Sequence, residues 1–186
     1  MKDYFAALDK LRSNGHLFAC PCSRKELATG KHKYSCLQGK VSFDAENVAW
    51  RVNTRDLEPI TIPDLVRREG FTVDLHQAMP DFAVRRKDGR PAYQPACVVD
   101  DVLFSINTVG RGQDLLPSTA AQAVLSKWMG FGDLFERISF VHHPLVTGTD
   151  GAKLSKSAGK TEGPIIGTSV QPADFSDLLT GWLAIP

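Results

Sequence analysis

Lys153-Leu154-Ser155-Lys156-Ser157 sets two lysines three residues apart among small hydroxyls, just after Asp150-Gly151. Lysine brings charge on a flexible stem, and serine hydroxyls with backbone N–H groups add donors without bulk, so the stretch could clamp a polyphosphate. A solvated lysine-serine turn would have the same composition. His142-His143-Pro144 precedes the loop and could touch the same ligand, although histidine beside proline at a strand end is commonly structural. Gly110-Arg111-Gly112 flanks a guanidinium with two residues that let a ligand come close. An arginine so placed can grip a carboxylate with two parallel hydrogen bonds, which suits an acidic substrate, or it can be a plain surface turn.

Cys20-Pro21-Cys22 and Cys36 fall in a polar segment, 16–40, with few apolar residues to build a core. Thiolates bind Zn²⁺ strongly, and a metal can organise such a stretch, although Cys-x-Cys is tighter than the common Cys-x-x-Cys knuckle. Cys97 lies in an apolar run and reads as a small buried hydrophobe.

Positioning these groups requires helices and strands in alternation. Phe5, Leu8 and Leu11 recur at helical spacing before an Asn14-Gly15 stop. Phe82 to Pro95 reads as a hairpin around Lys87-Asp88-Gly89-Arg90, and Ala96-Cys97-Val98-Val99 as a buried strand or the start of a buried helix. Ser105 to Val109 alternates toward Gly110. Between Thr119 and Met129 the spacing predicts a helix: Thr119 and Gln122 form a capping box, Ala121, Val124, Leu125 and Trp128 an apolar stripe, and Gly130 the stop. Ile138 to Val141 is β-rich, and Phe175, Leu178, Leu179 and Trp182 suggest a last helix. This order predicts an α/β fold.

The chain has 186 residues, with Lys+Arg 22 against Asp+Glu 21 and a formal charge of +1, so it is no global electrostatic nucleic-acid binder. No apolar run is long enough to span a bilayer, and the N-terminus lacks a signal-peptide core. The cytoplasm is the default compartment, where cysteines serve better as metal ligands or core residues than as disulfides.

The run from Asp81 to Ser157 resembles the glutamyl-tRNA synthetase family of class I synthetases, and most of all its short glutamyl-Q tRNA(Asp) branch. The resemblance is carried by Asp81-Phe82, Arg86-Lys87-Asp88-Gly89, Ala92-Tyr93-Gln94, Val98-Val99-Asp100-Asp101, Arg111 through Leu116, Ser118-Thr119, Gln122, and the lysine-serine loop. It implies the second half of a Rossmann-like catalytic domain with a small zinc-binding appendage. The expected division is an opening helix at 1–15, the appendage at 16–40, the partial catalytic domain at 41–160, and a tail with one helix at 161–186.

By the same resemblance, Tyr93 and Arg111 bind glutamate. It gives Lys156 the role of stabilising the phosphates; with the reading of the loop and its flank, the expected ATP contacts are Lys153, Ser155, Lys156 and His142, with Lys156 and Lys153 catalytic. Structural zinc falls to Cys20, Cys22, Tyr34 and Cys36, with His32 as the rival fourth ligand. The implied reaction is attack of a glutamate carboxylate on the α-phosphate of ATP, assisted by Mg²⁺, then transfer to tRNA, with tRNA(Asp) as the glutamyl-Q acceptor. The family's histidine-glycine signature is not found in this sequence. The chain reads as starting after the segment that carries it, which could leave activation dependent on that segment or on a homodimer. Too few residues follow Ser157 for an anticodon-binding domain, which also favours the glutamyl-Q type. The alternative is a non-catalytic truncated paralogue that binds RNA or an amino acid.

Overall fold

Leu8 and Leu11, together with Ala7, are buried along one face of α1 (Lys2–Ser13), and Gly15 at φ 74° turns the chain away in the left-handed region. Phe5, expected on this stripe, is exposed, because the i, i+3, i+4 face runs through Tyr4, Ala7, Leu8 and Leu11. The computed structural model describes residues 1–29, 32 and 34–145. The lysine-serine loop and the expected C-terminal helix lie outside them.

β1 (Leu17–Cys20) follows α1 and pairs antiparallel with β2 (Ala49–Val52), with Phe18 opposite Arg51 and Cys20 opposite Ala49. Between them come α2 (Arg24–Ala28) and α3 (Tyr34–Leu37). Ser23 and Glu26 close a complete capping box at the start of α2, a Ser-x-x-Glu signal legible in the sequence. β3 (Ile60–Ile62) and β4 (Phe71–Val73) form an antiparallel ribbon, followed by α4 (Leu75–Ala78), which is capped by the Asp74 side chain. β5 (Ala83–Arg85) joins the other side of β2, completing a three-stranded sheet in the order β1-β2-β5.

The expected hairpin is half present. Arg86 and Arg90 close the turn, but the second arm is a single bridge from Arg85 to Pro91. Tyr93, Gln94 and Pro95 instead open α5 (Tyr93–Leu103), which also takes in the apolar run around Cys97. Pro95 fits there because the first turn of a helix has no intrahelical acceptors for its N–H groups.

β6 (Thr108–Gly112), a 3₁₀ turn (Gln113–Leu115), α6 (Leu116–Trp128), α7 (Gly132–Phe135) and β7 (Ser139–His143) complete the described chain. β6 and β7 run parallel with α6 as their crossover, a βαβ unit, while the other strand pairs are antiparallel. α6 begins before Thr119, with Pro117 in its first turn, so the Thr119–Gln122 capping box does not form. Ala121 and Leu125 of its stripe are fully buried, and Gly130 takes φ 78° at the stop. Full burial of Leu125 contributes about 1.5–3 kcal/mol. The main core joins α1, α5 and α6 to all three strand groups, and a second small cluster holds Phe18, Cys20, Cys22 and Cys36. Among the described residues no helix is long and apolar enough to cross a membrane.

Candidate active-site face and metal centre

Arg111 projects from β6 toward α5 and α6. Its Nη1 donates to Gln122 Oε1 at 3.0 Å, and its guanidinium lies 5.4 Å from the Phe140 ring centroid. Gln122 is completely buried and passes the link on: its Nε2 donates to Gln94 Oε1 at 3.0 Å, and Gln94 Nε2 donates to Ser118 Oγ at 3.0 Å. Each amide is satisfied at both ends, so the chain fixes the arginine rather than leaving it on a free surface arm. Glycine is required at only one of the two flanking positions: a Cβ at Gly110 would meet nothing within 4 Å, whereas one at Gly112 would sit 2.5 Å from the Asp114 carboxylate.

Tyr93, Cys97 and Asp101 recur every four residues and share one side of α5. Tyr93 is 59% exposed, and its hydroxyl is pushed up in pKa first by its hydrogen bond to Cys97 and then by burial. Cys97 is half-buried rather than part of the core, and burial raises its thiol. Burial also raises the Asp101 carboxyl, with Asp100 adding to the shift and Arg111 opposing it. The charge of Arg111 thus bears on all three side chains. The result is an accessible surface with a fixed cation, a nearby carboxylate and an aromatic hydroxyl.

His142 is enclosed at the neighbouring strand. Its ring Nδ1 and backbone N both lie 2.9 Å from Asp64 Oδ2, and its Nε2 lies 2.8 Å from Thr119 Oγ1. The side chain is 0% exposed. An ionised Asp64 can only accept, so Nδ1 carries the proton and Nε2 accepts from Thr119. Burial lowers the His142 pKa, against the pull of Asp64, which keeps the ring neutral. Burial alone would raise Asp64, but hydrogen bonds from the Arg67 N–H, the His142 ring and the Val66 and His142 N–H groups outweigh it and hold the carboxyl low.

The second centre lies at the end of β1. One ligand atom each from Cys20, Cys22, His32 and Cys36 falls within 4.8 Å of the others. Cys22 Sγ is 3.7 Å from Cys36 Sγ, and Cys20 Sγ is 3.4 Å from His32 Nδ1. A tetrahedral ion with Zn–S bonds of about 2.3 Å spaces its sulfurs about 3.8 Å apart, so the donor set fits zinc. The sulfurs are too far apart for a disulfide. Burial raises the Cys20 thiol and, helped by its hydrogen bond to Cys22, pushes Cys36 up to about 12. Burial keeps His32 neutral, with Asp81 opposing, and its Nε2 faces Asp81 Oδ2 at 3.4 Å. That leaves Nδ1 for a metal, with a carboxylate behind the ring, the usual support of a metal-bound histidine. Asp81 is itself held by the Thr54 N–H and hydroxyl, and Lys87 Nζ donates to Pro21 O at 2.6 Å across the Cys-Pro-Cys turn.

The family model for the catalytic domain of class I tRNA synthetases (E and Q) matches residues 1–164. The chain belongs to that family. Among curated relatives, it is 37% identical over 163 residues to the glutamyl-Q tRNA(Asp) synthetase of Geobacter sulfurreducens, covering 82% of this chain and 50% of that one. It is 36% identical over 187 residues to the enzyme of the same name from Xanthomonas campestris pv. campestris, covering 98% of this chain and 57% of that one. The chain therefore spans about half the length of these relatives. The solved glutamate-tRNA synthetase of Elizabethkingia anophelis shares the fold, with a TM-score of 0.62 at 22% identity, over 83% of this chain and 35% of that one.

Within this class I domain, the charge of Arg111 reaches the Tyr93 hydroxyl, and Cys20, Cys22 and Cys36 gather in one cluster. Tyr34 opens α3, and its side chain lies outside the described residues; the side chain seen among the three sulfurs is His32. His142, taken as an ATP contact from its place before the loop, has both ring nitrogens engaged and turned inward. Lys153, Ser155 and Lys156 lie outside the described residues, within the span matched by the family. Asp64 carries no local motif, and Asp101, Gln94 and Gln122, although part of the family resemblance, were given no site role by it. The four-residue period from Tyr93 could have pointed to Asp101, but nothing in the sequence pairs Asp64 with His142.

Proposed function

We propose that this chain takes part in ATP-dependent activation of glutamate and its transfer to tRNA, of the glutamyl-Q type, with tRNA(Asp) as acceptor. The observation that carries the reading is Arg111, an arginine fixed through Gln122 and Gln94 whose charge reaches Tyr93, Cys97 and Asp101 along one side of α5. A free amino acid is a zwitterion. The guanidinium complements a carboxylate, the Asp101 carboxylate complements the ammonium, and the Tyr93 hydroxyl adds one hydrogen bond. In activation, a bond forms between a glutamate carboxylate oxygen and the α-phosphorus as the bond to pyrophosphate breaks. Arg111 and Tyr93 hold glutamate for that in-line approach, while Lys153, Ser155 and Lys156 offer donors to the phosphates. Mg²⁺, when bound, supplies further charge for the phosphate oxygens. His142 positions the end of β7 through Asp64 and Thr119. Cys20, Cys22, His32 and Cys36 hold structural zinc, which folds a stretch without a sizeable core.

A second reading stands beside this one because the matched relatives are about twice as long. In it the chain binds glutamate or RNA without activating anything. Glutamate-dependent ATP–pyrophosphate exchange by the purified chain separates the two. Exchange lost in both Arg111→Ala and Lys156→Ala supports the synthetase reading. Glutamate binding by calorimetry with no exchange overturns it in favour of the binding module.

A further inference from the structure

Arg51 is placed beside the metal centre but takes no ligand position in it. It stands directly opposite Phe18 in the β1–β2 ladder. Opposed residues share a face of the sheet, and Phe18 packs in the same small cluster as Cys20, Cys22 and Cys36. Arg51 therefore enters from the cysteine side, while its neighbours Trp50 and Val52 face the main core. Its Nη1 donates to the Asp81 backbone carbonyl at 2.8 Å, the residue whose carboxylate backs His32. Its Nε is the one buried side-chain nitrogen or oxygen among the described residues with no hydrogen-bond partner. Such an atom normally finds an acceptor, because leaving it bare costs the full desolvation of the group.

The chemistry of the cluster supplies both the acceptor and the need for a cation. Three thiolates and a neutral imidazole around a dication leave one net negative charge in a buried place. Such a charge is expensive unless it is paired. Coordinated thiolates accept hydrogen bonds, and these outer contacts are part of what sets a site's affinity. Cys20 lies two residues beyond Phe18 on the same face of β1, which makes it the diagonal cross-strand neighbour of Arg51, within reach of a long side chain. Arg55 reaches only the far side, at 3.6 Å from Asp81 Oδ2, and is largely exposed.

We propose that Arg51 is the outer-sphere countercation of the Cys20–Cys22–His32–Cys36 metal centre, with its buried Nε–H reserved for a coordinated thiolate, that of Cys20. This rests on the zinc reading of those four residues, and it assigns Arg51 a task beyond pinning Asp81.

The test uses the full chain and titrates Zn²⁺ against a competing chelator for wild type, Arg51→Gln and Arg51→Lys. Substituting Co²⁺ then gives a thiolate-to-metal charge-transfer band. Gln keeps a donor for the Asp81 carbonyl and removes the charge, so Arg51→Gln should bind zinc about 10–100-fold more weakly, the range for loss of an outer-shell partner. Lys keeps the charge and lacks Nε–H. Arg51→Lys should stay within about three-fold of wild type while its Co²⁺ band moves to lower energy, because an unbonded thiolate gives up its electrons more readily. Wild-type zinc affinity in Arg51→Gln overturns the countercation. An unmoved band in Arg51→Lys overturns the thiolate contact, and Arg51→Lys decides even where Arg51→Gln fails to fold. A wild-type chain that takes up neither metal overturns the zinc reading itself, a result distinct from both.

Discussion

Gln122 is the side chain through which the fold controls Arg111, and its replacement separates scaffold from site. In Gln122→Leu, Arg111 Nη1 loses its 3.0 Å acceptor and Gln94 Oε1 loses its 3.0 Å donor. A hydrogen bond to a charged group is worth about 1.5–3 kcal/mol, and a buried carbonyl left bare costs about 1–3 kcal/mol. Arg111 is only half-buried and can recover water, and leucine adds apolar burial. The expected net loss in unfolding free energy is therefore about 2–4 kcal/mol, read from urea denaturation.

Gln122→Glu behaves differently. Gln94 can turn its amide so that Nε2 donates to the new carboxylate and Oε1 accepts from Ser118, restoring both ends of the link. Stability should stay within about 1–2 kcal/mol of wild type, offset by the charge-assisted bond to Arg111. Glutamate binding, measured by calorimetry, should nevertheless fall at least about ten-fold, because Arg111 is already neutralised. That loss corresponds to about 1.4 kcal/mol, well within the strength of a charge-assisted arginine–carboxylate contact. A stable Gln122→Glu protein with wild-type glutamate affinity would refute Arg111 as the carboxylate site. Gln122→Leu unfolding at the wild-type urea concentration would refute the buried relay.

Three further outcomes are expected. Arg111→Lys should keep the fold and weaken glutamate binding by roughly 10–100-fold, since an ammonium cannot make the paired contact; unchanged affinity counts against the site. The purified chain should carry one zinc. Stripping it with a strong chelator should lower the thermal midpoint, as should Cys36→Ala, whereas Cys97→Ala should leave zinc content untouched. The third outcome concerns pH. His142 is held neutral by a lowered pKa, so its contribution is full above the unfolded value of about 6.5 and is lost as pH falls toward its folded value. Asp64 is also held low, so its share lasts until pH falls below roughly 4. The stability difference between wild type and His142→Asn should therefore shrink from pH 8 to pH 5, and a constant difference would exclude the neutral-ring assignment.

Local chemistry in the sequence identified the cysteines, the Gly-Arg-Gly strand end, α1 and the main body of α6, because each is written in adjacent or helically spaced residues. The lysine-serine segment, read the same way, stays a proposal beyond the described residues. The Lys87–Arg90 turn was legible, but its second arm was not. Tyr93-Gln94-Pro95 suits either an extended arm or a helix start, and burial of Val98 and Val99 against α6 and the core selects the helix. Thr119 and Gln122 have capping-box spacing, yet α6 starts earlier and spends both side chains on partners in other elements.

What the sequence determined by itself was the family; it also marked out chemically able residues, thiols suited to a metal, an arginine and tyrosine proposed for an acidic amino acid, and lysines proposed for phosphates. Tertiary structure decided their company. Asp64 meets His142 across 78 positions, Gln94 meets Gln122 across 28, and Cys20 meets His32 across 12. A buried polar atom must find a partner wherever the folded chain brings one, and sequence periodicity carries no record of that choice. Only the fold shows that His142 is buried between Asp64 and Thr119, that His32 stands among the sulfurs, and that Arg51 shares the sheet face of Phe18 and Cys20 with its Nε buried and unpartnered.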